Sequence, residues 1–363
     1  MRGEASINRV TASAYKIPTD APEADGTLEW DSTTLVLVEV EAGGKTGIGY
    51  TYCDASITSL IENRLAEIIK DRTAFDIAEA NAALWRSVRN LGRSGLAATA
   101  ISAIDTALWD VKAKLLGVPV AALLGRCRDS VEIYGSGGFT SYSDERLRDQ
   151  LSGWVERDGC RAAKMKIGSD PERDPTRIAV ARRAIGEAAL FVDANGAFSA
   201  KQALGLAQRI REYGITWFEE PVSSDDLHGL ALMRSSGPPG MDIAAGEYGY
   251  NLDDFKRWLP VVDVLQADVT RCGGITGFMQ VAALCEAHHI DLSGHCAPAL
   301  HLHAACAAQR LRHLEWFHDH VRIEHMLFDG APVPHDGQVA PDLSRPGFGL
   351  DFKRRDAERH RVR

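Results

Sequence analysis

The rhythm of apolar and polar positions changes once along this chain. Residues 33–40 (TTLVLVEV) alternate and are rich in β-branched side chains before the turn at Gly43-Gly44, which predicts a small antiparallel sheet. From about residue 57 to residue 116 the pattern is helical. Within 97–116 the apolar positions 101, 104, 108, 111 and 115 share one face, and Gly117 supplies the stop. After Gly125 the chain becomes a series of short apolar runs, each followed by a helical stretch: VEIYGSGG (131–138), AAKMKIG (162–168), ALFVDAN (189–195), ITWFEEP (215–221), DIAAGEY (242–248), VDVLQADV (262–269), IDLSGH (290–295) and HLEWF (313–317). Strands alternating with helices predict a parallel sheet, and eight of them in succession predict an α/β chain with a compact barrel. A doubly wound open sheet is the alternative, but no G-x-G-x-x-G follows any strand.

The length of 363 residues suits two domains, or a barrel with an attached lobe. With 45% hydrophobic and 25% charged residues, the chain can bury a sizeable core without staples. Forty-one Lys and Arg against 50 Asp and Glu give a net charge of −9, which disfavours nucleic acid and anionic membrane as partners. An anionic substrate must then meet a local positive site. The seven cysteines are scattered and form no CxxC pair, so a reduced, cytoplasmic setting is expected. No signal-peptide core opens the chain, and no apolar run approaches the roughly 18 residues that span a bilayer.

Charged residues close the apolar runs at a nearly constant interval: Lys166, Asp193, Glu219, Glu247, Asp268 and His295, in steps of 27, 26, 28, 21 and 27. One βα unit has about that length, so all six are expected at the carboxyl ends of successive strands, where barrel enzymes keep their active sites. Asp193, Glu219 and Glu247 would make a hard oxygen site suited to Mg²⁺, whereas zinc would recruit His or Cys. Glu220 has the opposite strand parity to Glu219, and parity alone leaves open which of the two points inward. Lys164 and Lys166 share a face; two ammonium groups close together, next to a metal, depress each other's pKa, as a lysine base requires. Asp268 beside His295 would fix the imidazole tautomer and raise its basicity.

In this order, KMK, VDAN, WFEEP, AGE, ADVTRCGG and SGH closely resemble the enolase superfamily, in its mandelate racemase-like subgroup. The likeness also takes in the helix AISAIDTALWDVKAKLLGVPVAALLG (100–125) and the late segment RPGFGLDF (345–352). The resemblance implies a modified TIM barrel, (β/α)7β, at 126–325, an N-terminal α+β capping domain at 1–125, and a C-terminal segment at 326–363 that returns to the cap. It implies one Mg²⁺ per subunit on Asp193, Glu219 (rather than Glu220) and Glu247. It makes Lys166 one base, Lys164 a holder of the substrate carboxylate, and Asn195 the amide beside the metal. His295 with Asp268 becomes the second base, and Glu315 the acid that hydrogen-bonds the enolate. A lysine or histidine base beside Mg²⁺ is the known arrangement of this superfamily. The muconate lactonising and dipeptide epimerase branches place a lysine where this chain has Asp268 and His295.

The activity implied is removal of the proton α to a carboxylate, and the leading expectation is dehydration of an acid sugar to a 2-keto-3-deoxy acid. Racemisation or epimerisation of a 2-hydroxy acid is the alternative, and a catalytically silent sugar-acid-binding barrel is a third reading of another class. The partner is a small-molecule carboxylate, and a homo-oligomer is expected. Lid loops are expected at 19–30 and 50–56, polar and acidic through Asp20, Glu23, Asp25, Thr51, Tyr52 and Asp54, which favours a polyhydroxylated substrate over an aryl one. His301 and His303 are read as helical rather than as metal ligands with His295, Cys296 as a loop thiol, and the basic stretch 353–363 as a solvated end. No G-x-S-x-G elbow or Walker loop occurs.

Overall fold

Residues 5–363 are described by a computed structural model. Its N-terminal lobe is an antiparallel sheet of β1 (Ile7–Ala24), β2 (Glu29–Ala42) and β3 (Lys45–Tyr52) backed by helices. β2 is the central strand and is buried on both faces, hence its unbroken apolar run. Val36, Val38 and Val40 face the lobe's own helices, while Leu35 and Leu37 join the large core shared with the barrel. The helical stretch from 57 resolves into a run over 57–69 with a π-helical turn at Ile61–Leu65, then Ile77–Ser87, then Leu96–Leu116, which ends on left-handed Gly117. The length of β1 was not foreseen. It is an edge strand with prolines at 18 and 22 and a register break between Pro18 and Glu23, so it lacks clean alternation.

The barrel strands are β4 (Val131–Gly137), β5 (Ala162–Lys166), β6 (Ala189–Asp193), β7 (Ile215–Glu219), β8 (Asp242–Ala245), β9 (Val264–Ala267), β10 (Asp291–Gly294) and β11 (Leu311–Phe317). They pair in chain order, all parallel, and β11 returns to β4 to close the barrel. A helix follows each of the first seven strands on the outside. The helix after β11, His318–Leu327, instead carries Asp319, His320 and Glu324 toward the cap, where Tyr50 Oη donates to Glu324 at 2.6 Å and Thr33 Oγ1 donates to Asp319 at 2.5 Å. Strand parity sends Ala163, Met165 and Phe218 outward into the helical layer, and sends Tyr134, Phe191, Trp217, Ala244 and Val264 inward to fill the floor.

The cap is tied to the rest by two buried carboxylates on helix Leu96–Leu116. Asp105 accepts from Thr276 N at 2.9 Å, and Asp110 from Ile48 N at 2.8 Å and Phe348 N at 2.9 Å. Beyond β12 (Phe328–Asp329) and β13 (Gln338–Val339), β14 (Asp351–Phe352) pairs with β12. The chain then runs along β1, where Val362 N donates to Ala14 O and Ala14 N to Arg363 O, each at 2.8 Å. Residues 361–363 thus cover an edge strand, while most charged side chains of the basic stretch 353–363 stay exposed, as expected. Among the described residues, no helix is long and apolar enough to cross a membrane.

Candidate active site

Register alone brings the first three candidates together. Lys166 pairs with Asp193 and Asp193 with Glu219 across β5, β6 and β7, one layer above Lys164, Phe191 and Trp217. Glu247 follows Gly246, whose φ is +134° and whose Cβ position would lie 2.2 Å from Gln266 O, so only glycine lets the chain turn the carboxylate inward there. Asp268 and His295 each stand one residue beyond β9 and β10, and Glu315 lies within β11. The structure thus gathers the predicted barrel residues at one mouth.

Asp193, Glu219 and Glu247 are buried and bring carboxylate oxygens within 4.8 Å of one another. Glu220 is outside that cluster, at a left-handed φ of +38° and with a buried, unpartnered Oε1. Burial, reinforced by Glu247 and Asp193, pushes Glu220 well above the usual carboxylate range. Glu219 is held by Lys164 Nζ at 2.7 Å and Trp217 Nε1 at 3.0 Å. Lys164 also reaches Glu315 at 2.8 Å and Asp193 at 3.4 Å, while Lys166 bonds Asp193 and Asn195 Oδ1, the latter at 3.0 Å.

These contacts set the charge state of both lysines. Burial lowers both lysines, and Lys164 further lowers Lys166, but Glu219 and Glu315 around Lys164 and Asp193 beside Lys166 outweigh this, and both lysines are raised. The neighbouring carboxylates, rather than the other ammonium, decide the sign while those carboxylates are paired with lysine.

On the opposite wall His295 Nδ1 lies 2.9 Å from Asp268 Oδ2, leaving Nε2 toward the cavity, 3.3 Å from Glu247 and 3.7 Å from Glu315. Burial would depress the imidazole, but Cys296, Glu247, Glu315 and the Asp268 bond hold it well above its ordinary value. The other histidines are engaged elsewhere. His301 Nε2 accepts from Val269 N and His303 Nδ1 from Ala121 N, both within helix Pro298–Ala305, as expected. His313 is buried in the barrel floor against Tyr134, Phe191 and Trp217, and burial pushes it down to about 3.

A cavity of about 450 Å³ opens above these groups, lined by Lys166, Asn195, Glu247, His295, Cys296 and Glu315 from the barrel. Its cap side departs from the expected acidic lid. Asp25, Tyr52 and Asp54 line it, but Asp20 faces Arg146 and His318 elsewhere, Glu23 is buried as the acceptor of Trp30 Nε1 at 2.8 Å, and Thr51 Oγ1 donates to Thr270 O. Asp25 spends one oxygen on Thr27 and Leu28 of its own turn. Trp30, Tyr52, Tyr248 and Phe317 supply aromatic surface, and Ser32, Thr33 and Thr34 supply hydroxyls, so the lid is mixed rather than uniformly polar. Gly26 brings the lid onto the barrel, since a Cβ there would lie 2.4 Å from Ala194 O and 2.7 Å from Ile167 O.

Sequence reasoning missed Arg271, whose guanidinium lies 3.5 Å from both Glu247 and Asp268. Its signal was its place three residues after Asp268 in the loop at the mouth. It also missed Ser136, which donates to Glu315 at 2.5 Å, and Trp217; both share inward parity with residues already singled out. Cys296, read as a bystander, has its thiol 3.3 Å from His295 Nε2 and 3.4 Å from Glu315 Oε2.

Comparison with known proteins agrees with this architecture. Residues 14–125 match the mandelate racemase / muconate lactonizing enzyme N-terminal domain, and residues 146–357 the enolase C-terminal domain-like family. A 3,6-anhydro-alpha-L-galactonate cycloisomerase from Streptomyces coelicolor is 32% identical over 96% of this chain and 98% of its own. A mandelate racemase/muconate lactonizing enzyme-like protein from Rubrobacter xylanophilus is 50% identical and superposes with a TM-score of 0.97, over 98% of this chain and 100% of that one. An L-talarate/galactarate dehydratase from Salmonella typhimurium, solved with Mg and L-lyxarohydroxamate, is 27% identical with a TM-score of 0.89, over 99% of this chain and 93% of that one. The chain belongs to the mandelate racemase / muconate lactonizing enzyme family of the enolase superfamily.

Proposed function

We propose that this protein is a Mg²⁺-dependent enzyme that removes the α-proton of a sugar acid and expels the β-oxygen, most simply by dehydrating an aldonic or aldaric acid to a 2-keto-3-deoxy acid. The observation that carries the reading is the placement of Lys166 and His295. They line one cavity from strands on opposite sides of the barrel, with buried carboxylates between them.

The donor set fits the ion. Three buried carboxylates converge without a histidine or thiolate among them, and Glu247 Oε2 is buried with no aligned hydrogen bond. Asp193, Glu219 and Glu247 would hold Mg²⁺, which when bound supplies Lewis-acid stabilisation of the charge that develops on the substrate carboxylate. Lys164 sits where it can hold that carboxylate, and Glu315, itself held by Lys164 and Ser136, can donate to the enolate oxygen once it carries a proton. Lys166 takes the proton on its face. His295, oriented by Asp268, stands on the other face, where it can protonate the leaving β-oxygen or act as a second base. The hydroxyls of residues 32–34 give a polyol partners, and the aromatic wall covers its carbon skeleton.

Opening of a cyclic sugar acid would use the same proton removal with a tethered leaving oxygen, and one relative is named a cycloisomerase. Racemisation of a 2-hydroxy acid remains the second reading, favoured by the two opposed bases. Incubating aldonic, aldaric and lactone substrates in D₂O separates all three by mass and by keto-acid assay. Dehydration loses one water and yields a keto acid, ring opening changes the skeleton at constant composition, and epimerisation adds only deuterium. A panel giving inverted but undehydrated acids would sink the leading reading, and neither keto-acid product, ring-opened product nor α-deuterium with any substrate would sink the enzyme assignment.

A further inference from the structure

We propose that His295, Cys296 and Glu315 form a zinc site, distinct from the three-carboxylate cluster, and that Zn²⁺ bound there blocks turnover. The three atoms that would ligate are His295 Nε2, Cys296 Sγ and Glu315 Oε2, with separations of 3.3 Å (N to S), 3.4 Å (S to O) and 3.7 Å (N to O). Zn–S near 2.3 Å and Zn–N and Zn–O near 2.0–2.1 Å place tetrahedral ligand atoms about 3.3–3.6 Å apart, so the trio already has nearly the spacing of one tetrahedral face. The fourth position faces the cavity that all three residues line.

The supporting contacts are those a zinc site uses. Asp268 takes His295 Nδ1, which fixes the ring and leaves Nε2 for the metal. Lys164 and Ser136 engage Glu315 Oε1, while Cys296 N donates to Oε2 at 3.0 Å and aims that oxygen at the thiol. Cys296 and Ala297 both have left-handed φ, +53° and +38°, a sharp turn just after β10 that brings residue 296 back into the mouth beside its neighbour. The donor types separate the two sites: thiolate and imidazole select zinc over magnesium, and the all-carboxylate cluster does the reverse. On binding, the Cys296 thiol proton and the His295 Nε2 proton go to water and no electrons move.

Blocking of turnover rests on the reading of His295 as an acid–base group, whereas the site itself does not. The test therefore uses Co²⁺ as a spectroscopic probe on the full chain held in saturating Mg²⁺. One equivalent is expected to give the intense visible bands of tetrahedral cobalt and a thiolate charge-transfer band in the near ultraviolet; cobalt on the carboxylate cluster gives neither. Zn²⁺ should displace the bands and suppress turnover, with recovery on chelation. Cys296→Ser should abolish the charge-transfer band and weaken Zn²⁺ binding at least about tenfold. Cys53→Ser, which alters the other thiol of the cavity, should keep the band. Absence of the band in the wild-type protein, or its survival in Cys296→Ser, overturns the site. A band without inhibition overturns the blocking role.

Discussion

On the β5 wall of the mouth, Lys164 and Lys166 are in direct contact with Asp193, Glu219 and Glu315, two of which belong to the candidate ligand cluster. On the β9–β10 wall, His295 leans on Asp268, a carboxylate outside that cluster. The charge state of the lysine wall is therefore tied to whatever else occupies its carboxylates, while His295, though it also touches Glu247 of the cluster, has an orienting partner outside it. The two proposed bases are held by different means, and perturbations should separate them.

The largest effect should come from the shared cluster. Glu219→Gln should abolish turnover and Mg²⁺ binding by calorimetry, because a hard oxygen site that loses a carboxylate leaves its ion undercoordinated. Glu220→Gln should leave Mg²⁺ affinity largely intact, and equal loss in both variants would show that the wrong glutamate has been assigned.

Removing either base should cost about 10²- to 10⁴-fold in kcat. For two opposed bases, Lys166→Ala should keep α-deuterium exchange with one substrate configuration and His295→Asn with the other. For a dehydratase in which His295 is only the acid, Lys166→Ala should stop all exchange while His295→Asn exchanges without releasing water. Wild-type exchange and turnover in both variants would refute the assignment of the bases.

Asp268→Asn should lower kcat by about 10- to 100-fold, since the amide no longer fixes the charged ring. The exchange carried by the lysine wall should persist, and its loss would mean that the walls are not separable.

The smallest effect concerns the support of the histidine wall. Glu324 accepts from Ala299 N at 3.2 Å, just beyond the turn at residues 296–297, and from Tyr50. Burial raises its pKa from 4.5 to about 8. Because the folded state holds this proton more tightly, its stabilisation is complete below about pH 4.5 and is lost as pH rises through about 8. The melting temperature should therefore fall between pH 5 and pH 9, and Glu324→Gln should flatten that fall; an unchanged slope would refute the coupling.

The residues at the mouth were legible in the sequence because each ends a short apolar strand, and the barrel converts a regular chain interval into convergence. Lys166, Asp193 and Glu219 needed only register. What escaped depends on contacts that no interval encodes. β1 hides behind two prolines at an edge. The aromatic side of the cavity comes from Trp30 on β2 and Phe317 at the end of β11, each packed on Phe139. The sign of the lysine shifts follows from distances between side chains on neighbouring strands. Cys296 looked inert because only the turn at residues 296–297 brings its thiol beside His295.

Residues 361–363 close the free edge of β1 at Ala14 and Tyr15. The partner of one of the earliest elements is therefore synthesised more than three hundred positions after it. At the usual pace of translation, about 5–20 residues per second, that edge waits for roughly tens of seconds with its amides unpaired. During biogenesis this strand, rather than the barrel, is the place where a nascent chain is most open to pairing with a neighbour or to capture by a chaperone.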